Sequence, residues 1–493
     1  MHEIHSTLYS QGNSATLIGD EQCWSAQEVA EKVQTLAEYL LSHKIQRVAL
    51  LADNGPAWIF ADLACQLAKI CLLPLPLFFT NEQIRHCLHE AGIQAVISDN
   101  MDVAKTKISS LSDNRLAHYS SELFFNFLEL DCYADLPEST AKITFTSGTT
   151  GSPKGVCLSD ENINAVCDAI VKATALKAPK HLCLLPLTTL LENIAGVYCP
   201  LLVGGQVVAP SLASVGLEGS SQLNIGKLIQ AITTHQPTTL ILIPQLLVAL
   251  TTACEFGWQA PKSLTFIAVG GAQVADSLIG KARSFGLPVY EGYGLSECGS
   301  VVTLNTLSED KLGSCGKALP HVQVASEAGE LVIRGNCFLG YTGDPQSWYP
   351  TTIYTGDHGF IDEQGYVRVV GRSKNVLITS YGRNINPEWP ESELLAGPML
   401  KQCVVIGDAK PYLCALLVPN DANTKQEHIQ RWINQVNHRL PDYAQIKNSL
   451  RLPKPLTAAD GFLTDNGRLR RDNILRHFHP DILSLYVLNE QAS

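Results

Sequence analysis

The order of apolar and polar positions in the first hundred residues predicts alternating helices and strands. Ser25-Ala26-Gln27-Glu28 has the form of a capping box, and apolar residues then fall at Val29, Val33, Leu36 and Leu40, one face of a helix. A short buried strand follows over 48–51 and stops at Asp53-Asn54-Gly55. A helical stretch around 58–67, a strand over 71–73, a helix near 81–91 and a strand over 95–98 continue the alternation. Strands interleaved with helices argue a parallel sheet covered on both faces. Further strands are predicted over 182–185, 206–209, 239–243 and 264–269. The long uncharged stretch 237–254 is split by Pro244 and Gln245 into a strand and a helix, so no membrane span is expected.

After about Ser300 the pattern changes. Leu331-Val332-Ile333-Arg334 and Tyr366-Val367-Arg368-Val369-Val370 are strand-like segments between glycine turns, with no long helix between them. A third texture begins near Asn375: strands over 403–406 and 413–418, then a helix with Ile429, Trp432, Val436 and Leu440 on one side. The chain has 493 residues, too many for one core, so a large domain and at least one smaller one are expected.

Composition narrows the function classes. Hydrophobic residues make up 45% and charged residues 17%, a globular balance. The net charge of −11 repels phosphate backbones and anionic lipid, which argues against nucleic acid or a membrane surface as partner. A local cationic site for a small anion stays compatible with it. The fifteen cysteines form no Cys-x-x-Cys pair, and several lie in apolar runs such as Lys69-Ile70-Cys71-Leu72-Leu73. Reduced, buried thiols in a cytoplasmic protein are expected. The first residues lack the pattern of a secretory signal.

The segment Thr144-Phe145-Thr146-Ser147-Gly148-Thr149-Thr150-Gly151-Ser152-Pro153-Lys154-Gly155 carries the clearest chemistry. Six of the nine residues from Thr144 to Ser152 bear hydroxyls, two are glycine, and Lys154 follows. Glycines let backbone N–H groups turn inward, hydroxyls add donors and lysine adds a cation, a combination suited to a polyphosphate. It is not a Walker A loop, since Pro153 precedes the lysine and Gly155 follows it. Gly294-Leu295-Ser296-Glu297-Cys298 fails the nucleophile elbow at its last position, and no His-Glu-x-x-His is present.

The phosphate loop resembles the signature of the adenylate-forming superfamily, which includes acyl-CoA synthetases, peptide-synthetase adenylation domains and beetle luciferases. Further segments match in order. Val269-Gly270-Gly271-Ala272-Gln273 resembles the strand-end turn used against adenine and the acyl carboxylate. Glu291-Gly292-Tyr293-Gly294-Leu295-Ser296-Glu297 is similar to the Tyr-Gly-x-Thr-Glu segment, with serine for threonine. Tyr354-Thr355-Gly356-Asp357 and Gly371-Arg372-Ser373-Lys374 resemble the ribose-binding and hinge motifs. The residues themselves suit these tasks: Tyr293 offers a flat face to a purine, Glu297 a carboxylate to Mg2+, Asp357 acceptors to ribose, and Arg372 a charge for phosphate or a donor for ribose.

The resemblance implies an α/β fold: a large N-terminal domain of parallel-rich sheets with a β-rich subdomain, and a small mobile α+β C-terminal domain. Lys374 at the hinge position divides the chain into 1–372 and 373–493. It implies that Thr146, Ser147, Gly148, Thr149 and Thr150 with Lys154 hold the β- and γ-phosphates of ATP, and that Glu297 holds magnesium. Ser296 is expected at the α-phosphate, Asp357 and Arg372 at the ribose side, and Gly271, Ala272, Gln273, Glu291, Gly292, Tyr293 and Gly294 around adenine. The acyl-AMP then passes to a thiol, CoA or the phosphopantetheine of an acyl carrier protein.

Two departures stand out. In Leu463-Thr464-Asp465-Asn466-Gly467-Arg468-Leu469-Arg470-Arg471, Arg468 occupies the place where most members carry a catalytic lysine. Arginine keeps the charge but is planar and wider, so the exchange is not conservative at a tight site. Thr189 stands where many long-chain acyl-CoA synthetases have histidine, and the following apolar run suggests an acyl pocket wall that includes Ile194 and Val197. The expected activity is activation of a carboxylic acid, preferably fatty, and transfer to CoA. The alternatives are loading of a carrier protein, activation of a hydroxy acid, and a degenerate nucleotide-binding protein disabled at Arg468.

Overall fold

The structure, a computed structural model, describes residues 2–108, 123–128, 135–146, 154–218, 222–381, 383–464 and 467–487. It has a large N-terminal domain built on two wide sheets and a β-rich layer, followed by a smaller C-terminal domain. The capping box forms as expected: the Ser25 hydroxyl accepts from the Glu28 N–H and the Glu28 carboxylate accepts from the Ser25 N–H, opening helix Ala26–Ser42. Its residues Val29, Val33, Leu36 and Leu40 are buried.

The seven-stranded sheet has four parallel strands at its centre, in the order Lys142–Thr146, Cys71–Pro74, Arg47–Leu51 and Ala95–Ser98. Antiparallel strands Lys154–Leu158 and Gly340–Tyr341 close one edge and Phe124–Phe127 the other. The nine-stranded sheet runs parallel through Ala15–Ile18, Gln206–Val208, Lys180–Leu182, Thr239–Leu242, Phe266–Val269 and Val289–Tyr293, with antiparallel strands at both ends. One hydrophobic core joins the two sheets through helices Ala26–Ser42, Pro56–Leu67 and Asp160–Thr174. The strand expected over 182–185 ends instead at Leu182, because the chain turns toward Pro186 while Asn54 caps the backbone of Leu185 and Leu187.

The β-rich texture is a four-stranded antiparallel sheet, Val322–Glu327, Glu330–Gly335, Thr352–Ile361 and Val367–Arg372. Beyond it lies the small sheet Leu400–Ile406, Leu413–Pro419 and Ile446–Arg451, packed by helices Glu388–Leu395 and Gln426–Asn437. Leu440 is buried there as expected, but it lies past the end of its helix. Fourteen cysteines among the described residues are free thiols, all buried except Cys23. No described helix is long and apolar enough to cross a membrane.

Candidate active site

Parallel strands end in loops on one side of a sheet, which is where open α/β folds gather ligand-binding groups. Thr146 ends the strand Lys142–Thr146 and pairs with Lys154, which opens the antiparallel return strand. The intervening Ser147, Gly148, Thr149 and Thr150 lie outside the described residues. Lys154 is exposed, with its Nζ 5.1 Å from the centroid of the Tyr341 ring. Tyr341 in turn donates from its hydroxyl to Glu297 Oε1 at 2.9 Å. The loop lysine and the candidate magnesium ligand thus share one tyrosine.

The segment after strand Val289–Tyr293 enters a single 3-10 turn, Ser296–Cys298. Gly294 is required there by the protein itself, since a Cβ would fall 1.6 Å from the Ser300 carbonyl oxygen. Gly270 and Gly292 sit where adjacent strand ends meet, and a Cβ on Gly270 would come 2.8 Å from the Gly292 carbonyl. Gly271 adopts φ +82°, and the side-chain Oε1 of Gln273 is buried with no hydrogen-bond partner among the described residues. An orphaned acceptor in a turn of this kind suits a donor brought in by a ligand.

Tyr293 donates its hydroxyl to Asp357 Oδ2 at 2.6 Å, and Arg372 Nε lies 2.9 Å from Asp357 Oδ1. A further Arg372 hydrogen bond goes to the Thr355 carbonyl at 3.0 Å. Burial raises the Asp357 carboxyl above its ordinary value, opposed by the Arg372 charge and the Tyr293 hydrogen bond. Burial, then the Asp357 charge, also pushes the Tyr293 phenol up. The two oxygens keep lone pairs for ribose hydroxyls, but the residue is only 5% exposed.

From the smaller domain, Arg468 directly precedes Leu469, which bridges to Leu463 across a tight turn. Thr464 N–H donates to the Arg468 carbonyl at 2.7 Å, and Arg468 N–H donates to Thr464 Oγ1 at 3.1 Å. Arg468 is exposed, yet surrounding protein withdraws enough water from its guanidinium to lower its pKa. Arg372 acts in the same direction, while Asp357, Glu388 and Glu297 favour the charge. Those five groups therefore share one electrostatic neighbourhood.

Residues 5–342 match the AMP-binding enzyme family, and residues 374–490 match the AMP-binding enzyme C-terminal domain. The chain belongs to the AMP-binding enzyme family. It is 24% identical to the long-chain-fatty-acid–CoA ligase FadD15 of Mycobacterium bovis, over 93% of this chain and 91% of that one. Its fold is similar to that of the anthranilate CoA ligase AuaEII in complex with anthranoyl-AMP, with a TM-score of 0.80, 16% identity and 96% of each chain covered. It is likewise similar to the O-succinylbenzoate coenzyme A synthetase of Bacillus subtilis in complex with ATP and magnesium ion, with a TM-score of 0.76, 22% identity and 95% and 98% of the two chains covered.

Within this AMP-binding enzyme, not every expected residue faces open space. Ile194 and Val197 are fully buried in the core between the sheets. Leu191 and Ala195, partly buried against both cores, offer the more open face, and Thr189 is exposed just before them. Residues Glu192–Tyr198 form a π-helix that is buried at every position but Ala195.

Glu291 is buried too, with its Oε1 3.5 Å from Cys315 Sγ, away from solvent. Burial, helped by the Asp276 charge, pushes its carboxyl up to about 8. Because the folded pKa is raised, the contribution of this group to stability is fully present at low pH and is lost as pH rises toward 8. Thermal unfolding between pH 5 and pH 9 is expected to show this loss, and Glu291→Gln to flatten it. An identical pH dependence in the variant would show that Glu291 does not carry it.

Sequence reasoning missed Tyr341 and the buried Lys142. Tyr341 lies far from Glu297 in the chain, and only the antiparallel edge strand Gly340–Tyr341 brings it across. A lysine inside the β-strand pattern next to a phosphate loop reads as an exposed cation, and nothing local signals otherwise.

Proposed function

We propose that this enzyme joins a carboxylic acid to ATP as an acyl-AMP and then passes the acyl group to the thiol of CoA. The observation that carries the reading is the hydrogen-bonded group of Tyr293, Asp357 and Arg372, drawn together from three separate segments of the chain. The acid carboxylate forms a bond from oxygen to the α-phosphorus, and the bond from that phosphorus to the pyrophosphate oxygen breaks. The protein's work is positioning and charge neutralisation.

Asp357, held by Tyr293 and Arg372, accepts from ribose hydroxyls, and Tyr293 lines the purine side. Lys154 and Thr146 flank the phosphate loop, and Ser296 faces the α-phosphate. Glu297, a half-buried carboxylate oriented by Tyr341, is a fitting oxygen donor for Mg2+, which when bound supplies charge neutralisation to the phosphates. Arg468 neutralises the acid carboxylate and the α-phosphate together. Rotation about Lys374, at a division between 1–372 and 373–493, would carry the smaller domain and Arg468 between the two half-reactions.

The acid is read as fatty or aromatic. The apolar face at Leu191 and Ala195 supports this, as do the names of the relatives, which act on long-chain fatty acid, anthranilate and O-succinylbenzoate. ATP–pyrophosphate exchange across a panel of fatty, aromatic and amino acids tests the reading. Exchange should depend on an apolar acid, and CoA should then convert the adenylate to a thioester. Absence of exchange with every acid, while ATP still binds, would leave a nucleotide-binding protein without ligase activity. Thioester formation only with a holo carrier protein would replace CoA as the acceptor.

A further inference from the structure

His181, Cys183 and Glu192 form a buried cluster that acid activation does not use. His181 lies on strand Lys180–Leu182, Cys183 directly follows it, and Glu192 begins the π-helix Glu192–Tyr198. One donor atom from each, an imidazole nitrogen, the thiol sulfur and a carboxylate oxygen, lies within 4.8 Å of the others. All three residues are at most 1% exposed.

Three features set the cluster apart from an ordinary buried hydrogen bond. His181 Nδ1 is 2.9 Å from Thr239 Oγ1, which fixes the ring and leaves Nε2 facing Glu192 Oε1 at 3.0 Å. This is the outer-shell arrangement that orients metal-binding imidazoles. The second carboxylate oxygen, Glu192 Oε2, is buried without a hydrogen-bond partner among the described residues. Finally, Gly196 brings the π-helix backbone onto the pair, since a Cβ there would lie 2.6 Å from His181 Nε2 and 3.1 Å from Glu192 Oε1. Single π-turns are frequent where a helix is reshaped around a site.

We propose that His181, Cys183 and Glu192 bind one zinc-type divalent transition metal ion through Nε2, Sγ and a carboxylate oxygen. The mixed nitrogen, sulfur and oxygen set suits zinc and disfavours magnesium or calcium, which take oxygen donors. Binding releases the thiol proton to solvent. The resulting thiolate and carboxylate carry two negative charges that the ion cancels, so the core holds a neutral unit. Around a tetrahedral ion, bonds of roughly 2.0–2.3 Å put neighbouring donors on the order of 3.3–3.6 Å apart. The cluster reaches this by small side-chain movements, with a fourth position left to a water. The ion would brace the wall helix against strands Lys180–Leu182 and Thr239–Leu242, and it is separate from the magnesium assigned to ATP.

The test is the metal content of the full-length protein, purified without chelator from zinc-supplemented cells, together with X-ray absorption at the zinc edge. About one zinc per chain is expected, with one sulfur at ~2.3 Å and the remaining neighbours nitrogen or oxygen. Cobalt reconstitution should give a thiolate-to-cobalt absorption band that Cys183→Ser abolishes and Glu192→Gln weakens. Absence of stoichiometric zinc and of the band in the unaltered protein would overturn the site. A zinc shell of nitrogen and oxygen alone would overturn it as well, and that measurement stands even if the variants fail to fold. A cobalt band that survives in Cys183→Ser would point to another of the cysteines and equally reject the assignment. No readout depends on ligase activity, so failure here leaves the acid-activation reading intact.

Discussion

Arg468→Ala is expected to lower acid-dependent ATP–pyrophosphate exchange by about 10²–10³-fold, the loss typical when a preorganised group aimed at developing charge is removed. Arg468→Lys should retain much of the activity, because the charge survives although the planar fork does not. The expectation rests on how firmly the arginine is presented. Three residues beyond it, Arg471 has only 13% of its side chain exposed, and its Nη2 lies 2.5 Å from Glu391 Oε2.

 The same pair is tied to the sheet of the smaller domain: Val405 N–H donates to Glu391 Oε1 at 2.6 Å, and Arg471 Nη1 donates to the Val405 carbonyl at 3.2 Å. A segment anchored in this way offers Arg468 at low entropic cost. Initial exchange rates at saturating ATP, measured for the three proteins in parallel, check the prediction. Equal rates in all three would remove Arg468 from the reaction.

The fold was legible wherever one periodicity dominated. The capping box at Ser25, the split at Pro244 and the strand Ala95–Ser98 all follow from patterns a few residues long. Leu182 to Leu185 misled because four apolar residues in a row look alike as strand or as buried turn, and the choice is made by Asn54, more than a hundred residues away. The candidate site divides in the same manner. Tyr293, Asp357 and Arg372 stand in motifs, and the structure brings them into one hydrogen-bonded group. Ile194 and Val197 read as a pocket wall from an apolar run, and such a run does not tell which of its residues are fully enclosed in the core, as these two are. Glu291 sits in a recognisable motif, yet its burial beside Cys315 depends on a loop that arrives later in the chain. Local sequence encodes elements and motifs, whereas long-range packing decides which face of each is open.

Asp62→Ala is expected to destabilise the large domain by about 3–5 kcal/mol, since it strands the buried charge of Lys142. Lys142 is 2% exposed and donates to Asp62 Oδ1 at 2.7 Å and to the Tyr198 hydroxyl at 2.6 Å, with Asn193 Oδ1 as a third acceptor. Asn193 Nδ2 donates to Asp62 Oδ2 at 3.0 Å, and Gln66 donates to the Tyr198 hydroxyl. The ammonium thus has three acceptors and the carboxylate several donors, which is the condition under which a buried pair is tolerated. Removing the lysine as well, in Asp62→Leu with Lys142→Met, should recover a large part of the loss, because no unpaired charge then remains. Thermal unfolding of the two single variants and the double variant gives the coupling directly, and losses that simply add would refute it. The location makes the effect more than structural. Lys142 begins the strand that ends at Thr146, while Asn193 and Tyr198 belong to the π-helix Glu192–Tyr198. Asp62, on helix Pro56–Leu67, therefore links that strand with the π-helix, which under the proposed function carries the acyl wall. Asp62→Ala should accordingly weaken ATP–pyrophosphate exchange below its melting temperature, and the double variant should restore less activity than stability, because methionine fills the space without rebuilding the three hydrogen bonds.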